Sequence, residues 1–268
     1  MVLYLRKKYL KGLKMKNLIA KFNNLSKKKR VAIVVSAAAL VLVISMFLVL
    51  YCNGYSGLHN HSIAKQGQIK VACVGDSITY GHGISGWARN NYPAQLQKIL
   101  GDEYHVENFG HSGTTASSKG DKPYTESPQY ELSLEYNADI VIIMLGSNDT
   151  KPQNWTSSLD FSIEYTELIR AYKKNNPNVR IILCTPAQAF YTNGKTEGAT
   201  NFDIQPGKVK EAMDRVRLLA ITEACECVDI YDLTKYHSEW FEKDGVHPSN
   251  DGARAIAEAI ANKIKANN

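Results

Sequence analysis

Gly75-Asp76-Ser77-Ile78-Thr79, directly after the run Ile69-Lys70-Val71-Ala72-Cys73-Val74, is the stretch from which the fold of this chain can be read. The run is short, apolar and rich in β-branched residues, the composition of a buried strand. Gly75 permits a sharp turn, and Ser77 sits on that turn where the next segment begins. A serine at the carboxyl end of a parallel strand stands where open α/β sheets bind their ligands. Taken alone, a Gly-Asp-Ser turn is more often only a turn. The rest of the chain decides between the two readings.

From Ile69 onward, strand-like and helix-like segments alternate. The expected strands are Lys70–Val74, Tyr104–Asn108, Asp139–Leu145, Arg180–Cys184 and Cys227–Tyr231. The expected helices are Pro93–Leu100, Gln129–Tyr136, Leu159–Lys173, Lys208–Ala224 and Asn250–Ala266. Phe161, Tyr165, Leu168 and Tyr172 recur at helical spacing, as do Val209, Met213, Val216 and Ala220, and then Ala253, Ile256, Ile260 and Ile264. The segment Ile140 to Leu145 is apolar throughout, as in a central strand covered on both faces. Five βα units imply a parallel sheet with right-handed crossovers, hence a three-layer α/β/α domain over residues 69–268. Two longer loops, Thr114–Thr125 and Pro186–Gly207, are expected to shape a site.

The N-terminal quarter has a different character. Residues 1–30 carry eleven Lys/Arg and no acid, which leaves 21 basic against 26 acidic residues in the remainder. A basic tail on a mildly acidic body does not suit a nucleic-acid-binding domain, whose basic patch lies on the fold itself. Val31 to Tyr51 follows without a single charge, long enough to span a bilayer. It exceeds the h-region of a signal peptide, and no small-x-small cleavage site follows. Cys52 hints at a lipoprotein signal, but the bulky Tyr51 before it fits one poorly. The expectation is a cytoplasmic tail (1–30), an uncleaved transmembrane helix (31–51), a polar tether (52–68) and an extracellular domain. Secretion after signal cleavage is the alternative, and Met15 offers a second start site. Cys73 and Cys184 read as small core residues, and Cys225-Glu226-Cys227 is too isolated for a zinc site.

The first three strands each end in a polar motif: Gly75-Asp76-Ser77, then Phe109-Gly110-His111-Ser112-Gly113, then Gly146-Ser147-Asn148-Asp149. A flavodoxin-like strand order, 2-1-3-4-5, would set these ends side by side. Asp244-Gly245-Val246-His247-Pro248 precedes the last helix, where its loop can reach back over the same edge.

This ordered set resembles the SGNH hydrolases, the esterase and lipase superfamily also called GDSL. The signature residues are Ser77 in its Gly-Asp-Ser turn, Gly110 after the second strand, Asn148 in Gly-x-Asn-Asp and His247 in Asp-x-x-His. A serine hydroxyl becomes a useful nucleophile only when a base takes its proton, and an imidazole suits that task near neutral pH. Asp244, three residues before His247, can orient the ring from the same loop. The resemblance implies an oxyanion hole made by the N–H groups of Ser77 and Gly110 and the side-chain amide of Asn148. It also implies that Asp76 and Asp149 hold turns rather than a metal, and that no cofactor is needed.

The expected reaction is hydrolysis of a short-chain, acetyl ester on a small molecule or glycan, through an acyl-serine. The segment Lys151-Pro152-Gln153-Asn154-Trp155 resembles SGNH proteins related to carbohydrate O-acetylesterases. Trp87, Trp155 and Tyr191 are the aromatic side chains proposed to stack on sugar rings, whereas Trp240 reads as packing its own loop. His82, His111 and His237 have no partner legible in the sequence. Three other activities stay open: a lysophospholipase or thioesterase for longer acyl chains, a cell-wall O-acetyltransferase using the same serine, and a non-catalytic glycan-binding scaffold.

Overall fold

The computed structural model describes residues 17–55, 57, 59 and 61–266. The chain divides into two compact units, one ending at Val49 and one beginning at Leu50. The expected cytoplasmic tail lies largely outside the described residues. Helix α1, Lys27–Cys52, contains the whole uncharged run together with the four basic residues before it. Its 26 residues are long and apolar enough to cross a membrane, and none is buried.

The second unit carries a five-stranded parallel sheet in the order β2-β1-β3-β4-β5. The strands are β1 (Ile69–Gly75), β2 (Tyr104–Gly110), β3 (Ile140–Met144), β4 (Arg180–Cys184) and β5 (Glu226–Val228). The expected order and parallel sense are thus observed. The main helices are α4 (Tyr92–Leu100), α5 (Pro128–Tyr136), α6 (Ser158–Asn175), α7 (Pro206–Thr222) and α9 (Asn250–Ala266). Shorter ones are α2 (Ser77–Tyr80), α3 (Trp87–Asn90) and α8 (Ile230–Thr234).

Alternation along the strands builds the three layers. Ile140, Ile142 and Met144 of β3 join Val71 and Cys73 against Leu96 of α4 and Ile256 and Ile260 of α9. Val141, Ile143 and Leu145 face the other way, with Val74, against Tyr165 and Leu168 of α6 and Val216 of α7. Cys73 and Cys184 are fully buried in the first of these cores, and the described cysteines form no disulfide.

Two expectations are corrected. The strand expected over Cys227–Tyr231 stops at Val228, and helix α8 begins at Ile230. Asp229 ends the strand by capping that helix, its side chain accepting from the Asp232 N–H at 3.1 Å. The tether expected over 52–68 is in part docked on the body. Ser62 donates its N–H to Glu107 of β2 at 2.9 Å and its hydroxyl at 2.6 Å, and His61 Nδ1 lies 3.0 Å from the same carboxylate. Glu107 is buried, and a buried carboxylate demands donors that this segment supplies.

Candidate active site

Ser77 owes its position to how tightly β1 turns into α2. A Cβ built on Gly75 would stand 2.1 Å from Thr79 Oγ1 and 2.5 Å from the Met144 carbonyl, so only glycine lets the turn pack between its own helix and β3. Asp76 caps α2, its Oδ1 accepting from Ile78 N–H at 2.9 Å. Ser77 is then the first helical residue, where an N–H has no intrahelical acceptor.

His247 arrives from the opposite end of the domain. Asp244 folds its loop by accepting the N–H groups of Val246 (2.8 Å) and His247 (2.9 Å) on Oδ1. Gly245, at φ +73, passes so close to the Phe190 carbonyl that a Cβ would stand 2.5 Å away. Phe190 N–H donates to the Gly245 carbonyl at 2.8 Å, and the Asn201 side chain to that of Asp244 at 2.7 Å. The loop expected over Pro186–Gly207 therefore braces the histidine loop. The outcome is a continuous chain: Asp244 Oδ2 to His247 Nδ1 at 2.8 Å, and His247 Nε2 to Ser77 Oγ at 2.9 Å. Burial alone would raise the Asp244 carboxyl, but the His247 side chain and the loop N–H groups hold it below the ordinary carboxylate range.

Ser77 and His247 open into a cavity of about 210 Å³. Ile78, Phe202, Ile204 and Val246 make its apolar wall, and Ser112, Gly113 and Asn148 lie on its polar side. The structure corrects the expected oxyanion donor at Gly110. That N–H donates to Asn108 Oδ1 at 2.9 Å, and Gly110 is buried against the backbone of Tyr80, away from the cavity. Gly113, three residues on, lines the cavity at φ +86, and among the described residues neither its N–H nor that of Ser77 has an acceptor. Asn148 joins them, its Nδ2 donating to the Thr114 carbonyl at 3.1 Å and to Asp76 Oδ2 at 3.2 Å.

The aromatic residues expected to contact sugar do not line this cavity. Trp87 is buried, donating its indole N–H to the Tyr80 carbonyl and packing on the Tyr80 ring. Trp155 packs on Phe161 beneath the Lys208 ammonium and faces a separate cavity beside Asp149. Tyr191 is exposed on the loop, its hydroxyl donating to the Gly198 carbonyl at 3.4 Å. Trp240 does pack its own loop, stacked on His237 at 3.7 Å.

Two residues with no assigned part take those places. His82 lines the cavity with its ring 4.7 Å from that of His247, and burial followed by the His247 charge holds its pKa below the ordinary histidine value. Phe202 holds its ring nearly perpendicular to that of His247, centroids 5.0 Å apart, from a left-handed backbone, φ +58, followed by Asp203 at φ +59. No sequence signal marks that pair of conformations.

Asp76 and Asp149 are both buried carboxylates tied to protein donors. Asp149 accepts Ala116 N–H at 3.0 Å and Ser117 N–H at 2.9 Å, fastening the loop after β2 to the end of β3. Burial pushes Asp76 up to about 6 and Asp149 up to about 7, against those hydrogen bonds. Among the described residues no group of three or more His, Cys, Asp or Glu is placed to hold a metal ion.

A profile of the GDSL-like lipase/acylhydrolase family matches residues 73–255. An acetylxylan esterase from Xylanibacter ruminicola is 35% identical over 218 residues. That alignment covers 75% of this chain and 44% of the relative, so the chain spans less than half of that protein's length. A carbohydrate acetylesterase from Sinorhizobium meliloti has a similar fold, with TM-score 0.61 and 21% identity over 74% of this chain and 99% of that one. The aryl esterase of M. smegmatis matches at TM-score 0.60 and 18% identity, over 74% and 99% of the two chains. The chain belongs to the GDSL-like lipase/acylhydrolase family.

Proposed function

We propose that this chain hydrolyses acetyl esters on carbohydrate outside the cell, through an acyl-Ser77 intermediate. The observation that carries the reading is the unbroken chain from Asp244 through His247 to Ser77 Oγ, which ends in a small cavity beside two N–H groups that have no acceptor among the described residues. His247 Nε2 takes the hydroxyl proton as Ser77 Oγ adds to the ester carbonyl, while Asp244 holds the ring and stabilises the imidazolium. The N–H groups of Ser77 and Gly113 receive the developing oxyanion. Asn148 contributes when its long contact to Asp76 gives way to the stronger charge. Protonated His247 then gives its proton to the departing sugar oxygen, and water attacks the acyl-serine by the same route in reverse.

A cavity of about 210 Å³ walled by Phe202, Ile204 and Val246 favours a short acyl group over a long chain. The acetylxylan esterase relative supports acetate on a sugar. An extracellular location rests on helix α1 and on the basic residues before it.

The test uses the full chain in detergent on p-nitrophenyl acetate, butyrate and octanoate, with Ser77→Ala alongside. The expected result is a preference for acetate that the variant loses without a change in melting temperature. A preference for octanoate would move the activity to lipids. Turnover retained by Ser77→Ala would reject the nucleophile.

A further inference from the structure

The polar side of the catalytic cavity carries a charge that ester hydrolysis does not need. Lys151 lines it, three residues after Asn148. Its backbone is fixed: its N–H donates to the Asn148 carbonyl, and its own carbonyl accepts from Asn154 at 2.9 Å and Trp155 at 3.0 Å. Lys122 reaches the same side, donating from Nζ to the carbonyl of Ser112, a cavity residue, at 2.8 Å. A Cβ built on Gly113 would stand 3.7 Å from Lys122 Cδ, so the aliphatic stem passes close to that glycine. Among the described residues no carboxylate stands within ion-pair distance of either ammonium. The Asp121 carboxylate, hydrogen-bonded to the Gln153 and Asn154 amides at 3.0 and 2.9 Å, attracts both ammonium groups without pairing with either.

The two lysines feel each other. Burial and then the Lys151 charge lower the Lys122 ammonium, and burial and then Lys122 lower His111 beside it. Like charges gathered beside a cavity oppose folding, and they stand on a body with fewer basic than acidic residues. Low-dielectric walls focus such a field on whatever enters, so the surplus is useful only toward an anion.

We infer that Lys151, supported by Lys122, selects esters whose sugar bears an anionic group, a carboxylate or a phosphate, close to the acyl oxygen. This inference rests on the acetylesterase reading and refines its acceptor. The neutral acyl group takes the wall formed by Phe202, Ile204 and Val246, and the charged substituent of the sugar meets the ammonium groups opposite.

The test compares mono-O-acetyl esters of three methyl glycosides that differ only at C6: the glucoside, the glucuronoside and the glucoside 6-phosphate. Their butyryl counterparts form a second set, and full-length chain in detergent is used throughout. At low salt kcat/KM should favour the anionic esters by roughly five- to tenfold, chiefly through KM, and 0.5 M NaCl should erode the advantage. The uronoside and phosphate arms show which anion is preferred. Lys151→Met should bring the anionic-to-neutral ratio close to one, and Lys122→Met should lower it less; a ratio cancels any loss common to all substrates.

Equal rates on the three acetyl esters in the wild type would overturn the inference and leave the acetylesterase reading intact. A loss in Lys151→Met shared equally by charged and neutral esters would assign the lysine to the oxyanion, and so overturn it too. An anion preference seen only with butyryl esters would keep the lysine assignment and reject the acetyl reading. No turnover of either set would overturn both.

Discussion

In the proposed reaction Ser77, Gly113 and Asn148 divide the stabilisation of one developing charge, and each can be tested separately from folding. Asn148→Ala removes a side-chain donor and should lower kcat roughly 10²- to 10³-fold. An effect confined to KM, measured on p-nitrophenyl acetate, would exclude that role. Gly110 makes the opposite prediction. Its Cβ would stand 2.2 Å from the Tyr80 nitrogen, so Gly110→Ala should cost about 1–3 kcal/mol in thermal unfolding. Turnover per folded molecule should change little. A variant that melts normally but turns over poorly would return Gly110 to the site. The two glycines lie three positions apart in Phe109-Gly110-His111-Ser112-Gly113, and the resemblance pointed to the first of them. Nothing in the local sequence says which N–H Asn108 will claim.

Strand β2 is an edge strand, and Glu107 makes its edge a docking place for residues 61 and 62. Burial opposes the Glu107 charge, but hydrogen bonds from His61 and Ser62 outweigh it and hold the carboxyl below its ordinary range. A depressed acid contributes stability above its unfolded pKa and loses it as pH falls through the folded value. Protection of the Ser62 amide against hydrogen exchange, taken relative to its intrinsic rate at each pH, should therefore be high near neutral pH and fall once pH drops below the ordinary glutamate range. Glu107→Gln should lower it at every pH, and exchange that matches wild type would show the segment held by other contacts. This docking was not legible because residues 52–68 are polar and lack periodicity, whereas a buried acid on a distant strand supplies the demand for donors. Helix α8 escaped notice for a nearer reason: Asp229 reads as a strand residue until its capping contact with Asp232 is seen.

Over the whole molecule, the buried Asp76 and Asp149 couple the site to stability. Burial pushes their carboxyls up, to about 6 and about 7, so at these two groups the folded state binds more protons than the unfolded chain from about pH 4 to pH 7. Their contribution to stability falls as pH rises through that window, and below about pH 6.5 the depressed histidines His59, His82 and His111 oppose it. Between pH 6.5 and pH 8, where Asp149 still titrates, the melting temperature should drop by about 2–4 °C, equivalent to roughly 1 kcal/mol. Asp149→Asn should flatten the slope, even though it also weakens the contacts to Ala116 and Ser117. A variant as steep as wild type would place the titration elsewhere. Helix α1 has its own test. If it remains as an anchor, the intact chain should stay with membranes through carbonate washing and leave in detergent. A soluble product shortened at its N-terminus would favour secretion.

Much of this protein is determined locally. The strand-and-glycine pattern of Ile69 to Gly75, the helical spacing of Phe161 to Tyr172 and the uncharged run from Val31 depend on neighbours in the chain, and all three are legible in the sequence. So are the turn that carries Ser77 and the loop that carries Asp244 and His247, whose first hydrogen bonds run between neighbours in the chain. What packing alone decided are relations between distant segments. Trp87 carries the residue type of a sugar platform, yet Tyr80 buries it. Phe202 and His82 have no marked pattern, yet the fold sets both rings against His247. Gly113 rather than Gly110 faces the cavity because Asn108 takes one N–H and leaves the other. Side-chain type and spacing are local properties, whereas which hydrogen bonds are satisfied and which surfaces meet depends on where the whole chain has gone.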